Sequence, residues 1–216
     1  MRHGESEPAT DGRPFPLIEG QGDPGLAPDG RLQAQKVCER LSHERIDAIY
    51  VTSLRRTSQT AEPLAQSLGL EPVVEPDLRE VFVGEWEGGL LRKKVADRDP
   101  VALRMHEEQR WDVIPGAEPA ASFRRRVRSA VERIAAAHRD QRVAVFSHGG
   151  TIGELLAQAT GSEPFAFTGA DNGSISYVVI TPQKWILRRF NDTAHLDGDF
   201  FSSAAVTRVP GVSPVT

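Results

Sequence analysis

Residues 142–160 read RVAVFSHGGTIGELLAQAT, and this stretch restricts the fold more than any other. The run RVAVFSH has the apolar, β-branched make-up of a buried strand, and it breaks at once into glycines and a helical run. A strand that feeds a helix through glycines belongs to a layered α/β structure. There it aims backbone N–H groups and the positive end of the helix at one spot, a place suited to an anion. The order recurs upstream. IDAIYVTS at 46–53 reads as a buried strand, followed by a helix whose Ala61, Leu64, Ala65 and Leu68 keep the 3.6-residue period up to the stop at Gly69.

The rest of the chain fits this alternation. Residues 8–30 are rich in glycine and proline and predict a long loop, with a helix from Asp29 that carries Leu32, Val37 and Leu41. EPVVEPDL is a short extended piece. Phe123, Val127, Ala130, Val131 and Ile134 form a helical stripe, and Arg124, Arg125, Arg126 and Arg128 fall on its other faces as a solvated run. SISYVVI and WILRRFN read as strands joined by TPQK, with an antiparallel edge at 186–191. The expected fold is α/β: a largely parallel sheet with helices on both faces. It forms one domain over residues 1–200, with an insertion or lid at about 89–118 outside the core and a tail at 201–216.

Composition narrows the partners. With a net charge of −4 there is no basic field for nucleic acid, so an anionic ligand needs a local cluster of arginines. No run approaches the roughly 20 apolar residues that span a bilayer. No signal peptide is visible, and a single cysteine, Cys38, cannot form an internal disulfide. A cytoplasmic location is expected; the sequence leaves the oligomeric state open, a homodimer included.

Chemistry in such a sheet gathers where strands end and helices begin. Those ends carry Arg2 and His3 in MRHGES, Arg55 and Arg56 in TSLRRTSQT, and His148 in SHGG, while LREVFVGEWEG adds Glu80. Singly, each has an ordinary structural explanation. Together, two histidines, arginines and a carboxylate suit phosphoryl transfer. Arginine grips phosphate oxygens with a charged fork. A neutral imidazole can attack phosphorus, and neighbouring arginines disfavour its protonation. A carboxyl group can protonate the departing alcohol and then activate water.

The sequence resembles the histidine phosphatase superfamily, the phosphoglycerate mutase-like proteins. RHGES, GDPGLAPDGRLQA, TSLRRTSQTAE, LREVFVGEWEG, IPGAEPAASFRRRV, FSHGGTI and NDTAHL are similar to family blocks and stand in the family's order from Arg2 to about Leu196. The resemblance implies a three-layer α/β/α sandwich and no metal or organic cofactor. It makes His3 the phosphohistidine nucleophile and Glu80 the proton donor. His148, Arg2 and Arg56 would bind the phosphoryl group, together with Ser6 and Gly149. The substrate would be a small phosphomonoester, selected by residues 8–26 and 89–118, with Trp86, Trp111 and His106 as candidates for the pocket mouth.

Two departures bear on this. The family places a strand before R-H-G, where this chain has Met1 alone, so His3 is expected to lack a rigid support unless upstream residues supply one. Mutases continue R-H-G-E-S-x-x-N, whereas the eighth motif position is Ala9, which favours hydrolysis. The alternatives are mutase activity, a metallohydrolase built on His3, His148 and Glu80, and a non-catalytic protein that binds phosphorylated ligands.

Overall fold

The computed structural model describes residues 1–9 and 14–196; the expected tail lies outside them. The elements run β1 (Leu17–Ile18), β2 (Gln21–Gly22), α1 (Pro28–Leu41), β3 (Ala48–Val51), α2 (Arg55–Leu68), β4 (Val73–Val74), α3 (Leu90–Ala96), α4 (Pro100–Glu108), α5 (Ala120–Ala137), β5 (Val143–Val145), α6 (Gly149–Thr160), β6 (Ile175–Ile180) and β7 (Trp185–Asp192). Short 3-10 turns lie at Pro76–Leu78, Gly84–Trp86 and Trp111–Val113.

The fold is α/β with a mostly parallel central sheet. β3 pairs in parallel with β4 on one side and β5 on the other, while β6 and β7 form an antiparallel pair. Alternation along the strands makes the layers. Ile49 and Val51 of β3, with Ala144 and Phe146, pack with Val37 of α1 and Ala61 and Leu64 of α2. Tyr50, Val143 and Val145 take the opposite face, against the core that holds the α5 stripe Phe123, Val127, Ala130, Val131 and Ile134. The predicted helix stop holds: Gly69 ends α2 in the left-handed region, and Gly161 ends α6 in the same way.

Two expectations change. Residues 89–118 carry core side chains: Ala102, Met105 and Ile114 are each about 1% exposed and pack with α5. The helix α4 is short, and its charged outer face hides the buried Ala102 and Met105 from a periodicity argument. Trp86, a candidate for the pocket mouth, is likewise a core residue.

The second change concerns His3. Met1–His3 lie alongside the end of β5, where Arg2 forms a parallel bridge to Ser147. The His3 N–H donates to the Ser147 carbonyl at 3.0 Å and the Ser147 N–H to the Met1 carbonyl at 2.8 Å. On the other side the Arg2 N–H donates to the Ser174 carbonyl, just ahead of β6, at 3.1 Å, and the Gly173 N–H reaches the Arg2 and His3 carbonyls at 3.2 Å. Three residues thus join β5 to the segment leading into β6, and His3 is fixed rather than loose.

Candidate active site

His3, Arg56 and His148 converge at the strand ends. His3 leaves the bridge beside β5, Arg56 sits in the first turn of α2, and His148 is the residue before α6. All three are buried. The two imidazole centroids are 5.2 Å apart and tilted by 60°. Arg56 Nε donates to His3 Nε2 at 3.2 Å, and its Nη1 donates to the Gly22 carbonyl at 3.0 Å.

The hydrogen bonds specify which nitrogen of His3 is available. Nδ1 lies 2.7 Å from the Gly4 carbonyl, an acceptor only, so Nδ1 carries the proton. The lone pair is therefore on Nε2, the atom facing Arg56. Burial first, and then the charges of Arg56 and Arg2, hold the His3 pKa well below its ordinary 6.5. His148 is held low by burial and by Arg56. Its Nε2 is 3.0 Å from Thr52 Oγ1, while its Nδ1 has no protein partner.

Arg2 reaches the same region. One Nη nitrogen donates to the Ala170 carbonyl, and its buried Nε has no protein partner. A buried guanidinium N–H and a buried imidazole nitrogen without partners are rare in a folded interior, and an oxyanion is what this pair would satisfy.

Glu80 stands at the opening turn of α6. Its Oε2 accepts from the Gly150 N–H at 3.1 Å, and its Oε1 accepts from the Thr151 N–H at 3.1 Å and the Val81 N–H at 3.0 Å. The carboxyl group thus takes up N–H groups that a helix start leaves over. Glycine at 150 lets the carboxyl group come this close: a Cβ there would lie 2.6 Å from Glu80 Oε1 and would displace it. Gly4 and Gly30 also meet backbone to backbone, since a Cβ on Gly4 would lie 2.5 Å from the Gly30 carbonyl oxygen.

Ser6 is buried and accepts from Arg92 Nη2 at 3.0 Å. Gly149 leaves room for ordinary contact with Arg2. Arg55 is turned away from His3: its N–H and Nε both go to Asp23, at 2.8 Å each. Trp111 flanks Gly150 and packs at 4.8 Å on Phe165, which also touches His106. Among the described residues no three of His, Cys, Asp and Glu cluster as metal ligands would, so His3, His148 and Glu80 do not form such a set.

Comparison with known proteins places this geometry. The sequence model of the histidine phosphatase superfamily (branch 1) matches residues 1–193. The chain belongs to that superfamily. It is 34% identical over 200 residues to a metal-independent phosphoserine phosphatase of Arabidopsis thaliana, covering 91% of this chain and 81% of the relative. It is 29% identical over 204 residues to a probable phosphoglycerate mutase GpmB of Yersinia enterocolitica, covering 91% and 93%. The fold superposes on a mycobacterial glucosyl-3-phosphoglycerate phosphatase with a TM-score of 0.72 at 26% identity, over 89% of this chain and 96% of that one.

Several residues at this site carry no signal in the sequence. Arg92, on α3, contributes positive charge at His3, Arg2 and Arg56, yet in LLRKK it is indistinguishable from a solvated charge. Asn172 donates to the His3 carbonyl at 3.0 Å. Arg126, expected in solvent, is instead half-enclosed behind Glu80. No helix among the described residues is long and apolar enough to cross a membrane.

Proposed function

We propose that this chain is a metal-independent phosphomonoester hydrolase that acts on a small phosphorylated molecule through a phosphohistidine on His3. One observation carries the reading: the His3 ring has Nδ1 engaged by the Gly4 carbonyl, Nε2 directed at Arg56, and a burial that keeps it neutral. A neutral imidazole with a fixed lone pair beside a guanidinium is a nucleophile next to a phosphate clamp. An arriving phosphoryl oxygen takes the Arg56 N–H and frees that lone pair.

In the first step Nε2 bonds to phosphorus as the bond from phosphorus to the alcohol oxygen breaks, and Glu80 gives that oxygen its proton. In the second, water attacks phosphorus, the Glu80 carboxylate takes a water proton, and the nitrogen–phosphorus bond breaks to leave inorganic phosphate. Arg2, Arg56 and His148 hold the phosphoryl oxygens, together with Ser6 and the Gly149 backbone. The 34% identity to a protein named a metal-independent phosphoserine phosphatase supports hydrolysis. Ala9 in place of the mutase asparagine weighs against the mutase reaction. The backbone bonds on both sides of His3 support a catalytic rather than a purely binding role, because they hold the ring in place.

The test is to quench the protein on a labelled aryl phosphate and look for acid-labile phosphate on His3. Label that is absent in His3→Ala, with free phosphate released in the presence of EDTA, is the expected result. Binding without label or turnover would mean a non-catalytic protein. Conversion of 3-phosphoglycerate to 2-phosphoglycerate would mean a mutase, and EDTA-sensitive turnover a metallohydrolase.

A further inference from the structure

The segment that delivers Glu80 has no strand partner. It leaves the 3-10 turn Pro76–Leu78 and runs to Glu80 as irregular chain, so its carbonyl groups must find partners elsewhere. Most of them find one side chain. Arg126 Nη1 donates to the Asp77 carbonyl at 2.7 Å and the Arg79 carbonyl at 2.9 Å, and Nη2 donates to the Glu80 carbonyl at 2.9 Å. The remaining donors of the guanidinium go to Glu118, Nε to Oε1 and Nη2 to Oε2, both at 2.8 Å. All five N–H groups are thereby used. Its plane lies on the Phe123 ring, 4.8 Å from the centroid, and the two charged side chains are 19% and 16% exposed.

We propose that Arg126, locked by Glu118, is a positioning residue for the general acid: it fixes the backbone of residues 77–80 and so aims the Glu80 carboxyl group at the leaving oxygen. This rests on the hydrolase reading above. The other side chains that reach the carbonyls of residues 78–80 make single bonds to them. Ser147 Oγ donates to the Leu78 carbonyl at 2.8 Å, Thr151 Oγ1 to the Arg79 carbonyl at 2.7 Å and Gln21 Nε2 to the Glu80 carbonyl at 2.8 Å. None of these takes more than one carbonyl, while Thr151 also holds the Glu80 carboxyl group through its N–H at 3.1 Å and Arg133, on α5, donates to the Glu75 and Asp77 carboxylates at 2.9 and 2.7 Å. Arg126 ties three carbonyls to one rigid plane on α5, and Glu118 fixes the rotation of that plane. An error of an ångström at a general acid lowers the rate of proton transfer while leaving phosphate binding to Arg2, Arg56 and His148.

That division gives a readout that a merely structural role would not move. Protonation matters most for a poor leaving group and least for p-nitrophenolate. Arg126→Lys keeps the charge and loses the planar fork. Relative to the wild type, it should cut kcat for an alkyl ester such as β-glycerophosphate about tenfold more than kcat for p-nitrophenyl phosphate. KM, and inhibition by inorganic phosphate, should stay within about twofold. Glu118→Gln, which retains the guanidinium but weakens its lock, should show the same selectivity to a smaller degree, and it decides the matter if Arg126→Lys does not fold by circular dichroism. Equal losses on both esters, or a loss confined to KM, would overturn the positioning role while wild-type turnover left the hydrolase reading standing. A wild type that hydrolyses neither ester would overturn both.

Discussion

Arg56 Nε lies 3.2 Å from His3 Nε2, and the same guanidinium is anchored by Nη1 on the Gly22 carbonyl. One rigid group therefore links Nε2 of His3 to the end of β2. Burial lowers the Arg56 pKa to about 10, the charges of Glu80 and Asp23 opposing, which leaves it cationic at neutral pH. Lysine in its place could keep a charge but not both contacts. Arg56→Lys should reduce kcat/KM by about 100-fold or more, close to 3 kcal/mol of transition-state stabilisation. Steady-state kinetics on an aryl phosphate check this, and a loss under fivefold would mean that Arg56 acts only as a point charge.

Gly150→Ala tests the seat of Glu80. The new methyl would sit 2.6 Å from Glu80 Oε1 and 3.4 Å from the Trp111 ring, so the carboxylate must move. A stability loss of about 1–3 kcal/mol is expected from the overpacking, read from denaturant unfolding. Hydrolysis of alkyl phosphates should fall further than that of aryl phosphates if the displaced group is the proton donor, as proposed.

The strand-to-helix junctions at His148 and Arg56 were legible because strand period, glycine and helix period coincide there, and the same local agreement makes the layer order readable. Arg126 was not. It shares RRRVR with arginines that are exposed, and nothing local separates the one that turns toward residues 77–80 from its neighbours. Ala102 and Met105 were missed for a related reason: α4 spans Pro100–Glu108 and offers fewer than three turns of pattern. The support of His3 was hidden differently. Its partners, Ser147 and Gly173, lie far along the chain, and their bonds are between backbone groups, which carry no side-chain signature.

The buried histidines make stability depend on pH. The pKa of His3 and of His148 lies well below 6.5 in the folded protein, chiefly through desolvation. Below about pH 6.5 the unfolded chain binds protons that the folded chain does not, so stability rises with pH through that window and is lost as pH falls. Each such histidine can contribute a slope of up to about 1.4 kcal/mol per pH unit. Melting temperature should drop between pH 7 and pH 5, and the drop should be shallower in His148→Asn, which removes one of the two groups. Parallel curves for the two proteins would show that His148 is not held neutral by the fold.

Asp23 ties the loop after β2 to α2. It is fully buried, its Oδ1 accepts the Arg55 N–H at 2.8 Å, and its Oδ2 meets Arg55 Nε at 2.8 Å. Leu54, the residue before the helix, has no side-chain acceptor of its own, so Asp23 caps α2 from a distance. Asp23→Ala removes the acceptor and leaves a helix N–H without its partner, at a cost of about 2 kcal/mol; Asp23→Asn keeps an acceptor and should cost about half as much. In a protein of this length 2 kcal/mol corresponds to a fall in melting temperature of roughly 4–8 °C. Because the adjacent Gly22 carbonyl holds Arg56, Asp23→Ala should also lower kcat/KM. A variant that melted lower with unchanged kinetics would show that the cap stabilises α2 without setting the position of Arg56.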